Sequence, residues 1–315
     1  MFNVNSLRFA YFALAMAQVS VAINTIVAKT LIPTIPAFLM LAIRFSISGT
    51  ILLLIMSYKR MPYLLPTHPS GKLETMDYCI LLAQGLTAGV LFNLFFAYGV
   101  SQTTAISAGI ISSVLPAMVA IFAYFLLKEK ISVNMRWAIV IAMIGIVILS
   151  LNDQGDSEMT KNSLLGNLLV FIAIIPESLY SIFARLSSRR VSAMGAGVWA
   201  NWTSALCLWP IAIYTWPSDG WQLVTDLKIL GIIATGAIAA AGFYVFWPHA
   251  LKLVPTSTAG IFGSLMPLAT TFLAWIFLGE TLGVYDLIGL CFVLFSIYLG
   301  TAYVGKRKKN ESVQA

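Results

Sequence analysis

Two stretches of the chain repeat one another at a constant spacing. The first is Ala105–Ile131, AISAGIISSVLPAMVAIFAYFLLKEKI, and the second is Thr256–Leu282, TSTAGIFGSLMPLATTFLAWIFLGETL. A separation of 151 residues joins Pro116 to Pro267, and the same separation joins the glutamates near the ends of the two stretches. Apolar helices often resemble each other by chance, but a glycine, a proline and a glutamate in one register indicate an internal repeat.

The composition of the whole chain favours a lipid environment. Of the 315 residues, 59% are hydrophobic and 10% are charged, and the mean hydropathy is +0.89. A water-soluble domain usually has about 25% charged residues, so this chain has too few charges to cover a soluble surface. The sequence therefore predicts an all-α integral membrane protein, because helices satisfy their own backbone hydrogen bonds within lipid.

Apolar runs of about 18–25 residues are long enough to cross the hydrocarbon core as helices. Ten such runs are present, and they are predicted near residues 9–31, 34–57, 78–101, 104–127, 133–150, 164–186, 193–216, 226–251, 256–279 and 283–304. The two copies of the repeat are the fourth and the ninth of these helices. Each repeat has five helices, an odd number, so the copies enter the membrane from opposite sides, as in inverted-topology transporter repeats.

The predicted organisation is therefore two inverted five-helix repeats. The first comprises residues 1–150 and the second residues 163–305, joined by a polar linker at 151–162 and followed by a basic tail at 306–315. With the N-terminus in the cytoplasm, 15 of the 19 Lys and Arg residues fall on the cytoplasmic side and three fall outside. This bias predicts that both termini are cytoplasmic.

The repeat resembles the drug/metabolite transporter superfamily, in particular its EamA-type members. Their repeats carry a small-residue helix, a proline and an apolar stretch that ends in a pattern such as L-G-E. Leu278-Gly279-Glu280 fits this pattern, and Leu127-Lys128-Glu129 fits except that Lys replaces Gly. Leu41-Ala42-Ile43-Arg44-Phe45 is similar to an Arg-containing stretch of the family's first repeat.

The resemblance implies a ten-helix secondary transporter in a bacterial inner membrane. Its substrate would be an amino acid, a derivative or a similar small metabolite, often moved by export around a central cavity. Import or exchange of another metabolite, such as a nucleotide-like or cationic compound, is the alternative. The substrate, the coupling to protons and the oligomeric state stay open.

Two charged residues, Arg44 and Glu177, fall near the middle of predicted helices, where a charge costs roughly 2.5–3.5 kcal/mol on insertion scales. Glu177 shares a helical face with Tyr180, Ser181 and Ala184, as the lining of a cavity would. Such a carboxylate is predicted to contribute to substrate or proton binding. The alternative is a static pair with Arg44, which is assigned as a structural buried charge.

Further polar and aromatic residues are candidates for substrate contact or coupling. Helix 1 carries one polar stripe with Gln18 and Thr25 and another with Ser20 and Asn24, and these either bridge helices or line the route. His249 lies near the end of helix 8, and its imidazole can change protonation near neutral pH. The remaining candidates are Asn93, Trp199, Tyr244 and Trp247.

Other classes of function lack their signatures. The chain has no H-E-x-x-H, no G-x-S-x-G and no clustered His or Cys, so neither catalytic residues nor a metal nor a cofactor are predicted. A basic stripe with interleaved aromatics is also missing, which argues against nucleic acid. An intramembrane enzyme and a channel stay as lower alternatives, and the expected partners are a small molecule and membrane lipid.

Overall fold

The computed structural model describes residues 4–65, 72–128, 133–150, 163–188, 190–251, 262 and 265–311. These residues form helices joined by short turns, and they contain no β-strand beyond one isolated bridge between Leu64 and Val191. The helices of the first half are α1 (Val4–Leu31), α2 (Ala37–Tyr58), α3 (Thr75–Gln84), a π-helix (Gly85–Leu91), α4 (Phe92–Gln102), α5 (Ala105–Ser112), α6 (Leu115–Leu127) and α7 (Val133–Ser150). Those of the second half are α8 (Ser163–Ser187), α9 (Ala193–Tyr214), α10 (Gly220–Thr225), α11 (Leu227–Leu251), α12 (Leu265–Leu278) and α13 (Val284–Glu311).

Six helical segments within the described ranges are long and apolar enough to cross a membrane. They are Leu7–Leu31, Ala37–Tyr58, Thr75–Gln102, Ala105–Leu127, Leu164–Ser187 and Leu227–Trp247. Three shorter apolar segments follow, at Arg136–Ile148, Leu265–Leu278 and Val284–Ser296. Helix α9, with 22 residues, is not among the six segments; it has the polar residues Asn201, Thr203 and Ser204 near its middle. The all-helical membrane architecture is confirmed, and the count of ten spans stays a prediction.

The main contacts between helices of the two halves correspond to one another: where two helices touch, their counterparts in the opposite halves touch as well. Helix α1 packs against α11, and correspondingly α8 packs against α4; α2 packs against α9, and α7 against α13. Likewise α1 contacts α12, and α8 contacts α5 and α6. The contacts of one half are thus repeated with the roles of the halves reversed.

The repeated motif breaks its helix at the proline. Helix α5 ends at Ser112, Ser113 and Val114 form a turn, and Pro116 lies in the first turn of α6. Proline is tolerated there because the amide groups of a first turn have no helical partner. The kink expected at Pro116 is therefore present. Pro267 lies in the first turn of α12.

The helix ends of the two repeats also share a backbone conformation. Lys128 follows α6 with a φ of 55°, and Gly279 follows α12 with a φ of 66°. These residues are 151 positions apart, the separation of the sequence repeat. The left-handed conformation ends helices and is easiest for glycine. Lys128 adopts the left-handed conformation although it has a side chain. The first repeat, with Lys in place of the Gly of the L-G-E pattern, therefore keeps the same helix-ending turn.

Glu280 caps the start of α5. Its Oε1 and Oε2 accept hydrogen bonds from the backbone amides of Ala105 (2.9 Å) and Ile106 (3.1 Å). A carboxylate at a helix N-terminus complements the helix dipole. At the same end of the bundle, Lys29 Nζ donates a hydrogen bond to the carbonyl of Thr103. Glu280 therefore joins α5 to the end of α12, whereas Glu129 lies outside the described residues.

Candidate functional site

A cavity of about 950 Å³ lies among the helices. Its walls come from α1, α2, the π-helix, α4, α6, α8, α9 and α11, which belong to both halves of the chain. The lining reaches Lys59, Met61, Ser188 and Ser192 at one end of the bundle. At the other end, Lys29, Thr103 and Glu280 do not line it. The cavity therefore extends toward the end that the positive residues predict to be cytoplasmic.

Eight of the ten candidate contact residues line this cavity. They are Gln18, Thr25, Asn93, Glu177, Tyr180, Ser181, Tyr244 and Trp247. Trp199 does not; it lines a separate pocket with Tyr78, whose ring contacts it edge to face at 5.5 Å between centroids. His249 belongs to α11, but its side chain lies outside the described part of the chain.

The face of α8 that the sequence singled out is turned toward the cavity. Glu177, Tyr180, Ser181 and Ala184 all line it, at the helical spacing from which they were predicted. Ser181 Oγ donates to the backbone carbonyl of Glu177 at 3.2 Å. Within the described ranges, the Glu177 carboxylate has no hydrogen-bond or ion-pair partner, and its side chain is partly exposed to the cavity.

Arg44 also lines the cavity, and it is not paired with Glu177. Its Nη1 donates to Asn24 Oδ1 and its Nη2 donates to Asn93 Oδ1, each at 2.5 Å. Arg44 is 8% exposed, and its buried Nε has no hydrogen-bond partner. These bonds tie α2 to α1 and α4. The static Glu177–Arg44 pair is absent, because each side chain faces the cavity separately.

The two asparagines are themselves held in place by the backbone. Asn24 Nδ2 donates to the carbonyl of Ser20 at 2.9 Å. Asn93 Nδ2 donates to the carbonyls of Ala88 (2.6 Å) and Gly89 (3.0 Å) in the π-helix. Because each amide nitrogen is engaged, each amide oxygen points at Arg44.

The π-helix that supplies these carbonyls packs closely against α9. A Cβ on Gly89 would lie 1.6 Å from Ser204 Oγ, and a Cβ on Gly85 would lie 2.6 Å from Thr203 Cβ. Ser204 Oγ donates to the carbonyls of Gly85 (3.1 Å) and Ala200 (2.6 Å). Single π-turns often mark functional positions within helices. Here the widened turn lies beside the Arg44 cluster.

Tyr180 and Tyr244 connect the two charged groups. Their phenol groups face each other, and both lie within Coulombic range of Glu177. Tyr244 is also within that range of Arg44. Gly197 makes room for the Tyr244 ring, since a Cβ there would lie 2.7 Å from Tyr244 Cδ1. The lining of the cavity thus includes a cation, two phenols and a carboxylate.

Several lining residues were not assigned from the sequence. Asn24 was placed on a polar stripe that either bridges helices or lines the route, and Asn201 and Ser204 were not singled out. Each is a polar residue inside an apolar helix, and that signal could have identified them. Asn201 is 3% exposed, and its Nδ2 donates to the carbonyl of Gly197 at 2.8 Å.

Comparison with known proteins agrees with this architecture. An uncharacterized transporter of Bacillus subtilis, YetK, is 28% identical over 306 residues, which cover 97% of this chain and 90% of that protein. An uncharacterized transporter of Clostridium kluyveri is 25% identical over 268 residues, or 84% of this chain and 82% of that protein. A crystal structure with 16% identity superposes with a TM-score of 0.58, covering 95% of this chain and 98% of that chain, and shows the same fold.

The family match covers most of the sequence in two parts. The model of the EamA-like transporter family matches residues 8–151 and again residues 164–301. The resemblance inferred from the L-G-E pattern is therefore confirmed. This chain belongs to the EamA-like transporter family, and it is a multi-pass membrane protein.

Proposed function

We propose that this protein is a secondary transporter that moves an amino acid or an amino-acid derivative across the membrane by alternating access. Export is the favoured direction, from the bacterial cytoplasm across the inner membrane. The observation that carries the proposal is the cavity of about 950 Å³ with Arg44 and Glu177 in its wall. Charges are costly within a membrane, and they persist there mainly where they serve a polar cavity or a transport route.

Alternating access is supported by the relation between the two halves. Contacts between helices of the two halves have counterparts between the equivalent helices of the opposite halves. The residues with left-handed backbone, Lys128 and Gly279, are 151 positions apart, and the family model matches the chain twice. We take residues 1–150 and 163–305 as inverted repeats. In this arrangement, rocking one repeat against the other opens a midplane site to each side in turn.

A counterflow assay tests the proposed function. Purified protein in liposomes loaded with an unlabelled amino acid should accumulate the labelled form transiently and saturably, and a panel of amino acids identifies the substrate. A channel gives no such overshoot, and an enzyme gives a changed product that mass spectrometry detects. If no member of the panel shows counterflow, the assignment to amino acids is wrong, and nucleotide-like and cationic compounds are tested next.

The proposed topology makes a separate prediction. Lys128→Cys and Lys228→Cys place single thiols at exposed positions, in a background from which Cys79, Cys207 and Cys291 have been removed. With ten spans and cytoplasmic termini, a membrane-impermeant maleimide should label the Lys228→Cys variant in intact spheroplasts. It should label the Lys128→Cys variant only after lysis. Labelling of both from the same side contradicts the topology.

A further inference from the structure

Arg44 lines the cavity, and its guanidinium has hydrogen-bonding capacity that the described part of the protein does not use. An arginine side chain carries five N–H donors. Two of them are bound by Asn24 and Asn93, and the buried Nε–H has no partner. Donors left without partners in a buried site are costly, so a ligand that supplies acceptors is favoured there.

The charge of Arg44 is also uncompensated. Both of its hydrogen-bond partners are neutral amides, its guanidinium carbon lies 4.5 Å from the centre of the uncharged Phe45 ring, and no carboxylate in the described ranges forms an ion pair with it. A buried cation without a counter-ion is unfavourable, and an arginine matches a planar carboxylate through two parallel hydrogen bonds. The site therefore lacks one negative group, which a ligand in the cavity can provide.

From these observations we infer that Arg44 is a substrate-binding residue that recognises a carboxylate, with Asn24 and Asn93 as positioning residues. This inference rests on the proposed transport function and deepens it. The neutral amides hold the guanidinium without neutralising it, so its charge stays available to the substrate. Glu177, which lines the same cavity, is then available for the ammonium group of a zwitterion.

The substitution Asn24→Asp tests this division of roles. It keeps the shape of the side chain and places a carboxylate beside Arg44 Nη1, which neutralises the guanidinium from within the protein. The variant gives up one hydrogen bond, to the carbonyl of Ser20, whereas Asn93→Asp gives up two. Asn134→Asp is the matched control, because it makes the same exchange in a partly exposed residue of α7 that does not line the cavity.

Liposomes are loaded with an equimolar mixture of neutral L-amino acids and their α-amides, which lack the carboxylate. Release is followed by mass spectrometry. Wild-type protein should release its preferred acids at least about tenfold faster than the matched amides, since losing a charge-assisted hydrogen bond has an effect of this size. Asn24→Asp and Arg44→Gln should lose most of this preference, and Asn134→Asp should keep it.

Thermal unfolding in nanodiscs gives a second readout that does not depend on transport. The acids should raise the unfolding temperature of the wild type and of Asn134→Asp, the amides should not, and Asn24→Asp should respond to neither. If wild type releases acids and amides equally, transport stands and the role of Arg44 is wrong. An Asn24→Asp variant that still selects acids also overturns it. If no probe is released and none shifts the unfolding temperature, both the amino-acid substrate and the carboxylate site are rejected.

Discussion

Replacing Glu177 with glutamine is expected to reduce transport about tenfold to hundredfold while the protein remains folded. The change keeps the shape of the side chain and removes its charge. A hydrogen bond to a charged group contributes about 1.5–3 kcal/mol, which corresponds to this range of rates when it is made to the substrate. Initial rates in proteoliposomes and the unfolding temperature of the same preparations are measured together.

The stability readout separates this role from a structural one. Glu177 has no ion-pair partner in the described ranges, so its substitution removes no contact that holds the helices together. If it did neutralise Arg44, the glutamine variant would leave a buried charge alone and would lower the unfolding temperature. Asp219→Asn is the matched control, because it removes one carboxylate from an exposed turn outside the cavity.

The pH profile provides a further test of Glu177. As a deprotonated carboxylate it binds a cationic group, so wild-type transport should fall as the pH is lowered. The residual activity of Glu177→Gln should not show this fall, because glutamine has no proton to gain. Wild-type rates and an unchanged pH profile in the variant would mean that Glu177 takes no part in transport.

The substitution Gly166→Ala is expected to destabilise the protein by about 1–3 kcal/mol or more, the usual cost of overpacking. Helices α4 and α8 approach closely where Gly99 and Gly166 meet. A Cβ on Gly166 would lie 2.8 Å from the backbone carbon of Gln102, 2.9 Å from its oxygen and 2.9 Å from the carbonyl oxygen of Gly99. All three neighbours are backbone atoms, so no side chain can rotate away and the helices must separate.

Gly231→Ala is the control for this substitution. It makes the same change within a helix, but a Cβ there has nothing within 4 Å. Its unfolding temperature should match or slightly exceed that of the wild type, because alanine favours helix over glycine. Thermal unfolding of both variants in the same detergent measures the difference. Equal stability of the two would show that α4 and α8 tolerate separation.

The membrane class and the main cavity residues were predictable from the sequence. The apolar composition excludes a soluble surface, and the register of Pro116 with Pro267 indicates the repeat that the family match covers. Glu177 could be identified because a carboxylate within an apolar helix is conspicuous and expensive. Its helical spacing then fixed Tyr180 and Ser181 as neighbours on one face, since that geometry is local to a single helix.

Only the tertiary structure decided which groups meet across helices. A helix that is apolar on all sides does not reveal which face is turned inward, because lipid and protein interior are similarly apolar. For this reason Trp199 could not be separated from Trp247, although one lies in a side pocket and the other in the cavity. The partners of Arg44 depend on how α1, α2 and α4 are rotated about their own axes and on the π-helix, which packs against α9. The sequence therefore determined the membrane environment, the internal repeat and the positions of the charged residues. The packing of the helices determined that neutral amides hold Arg44 and that Arg44 lines the cavity.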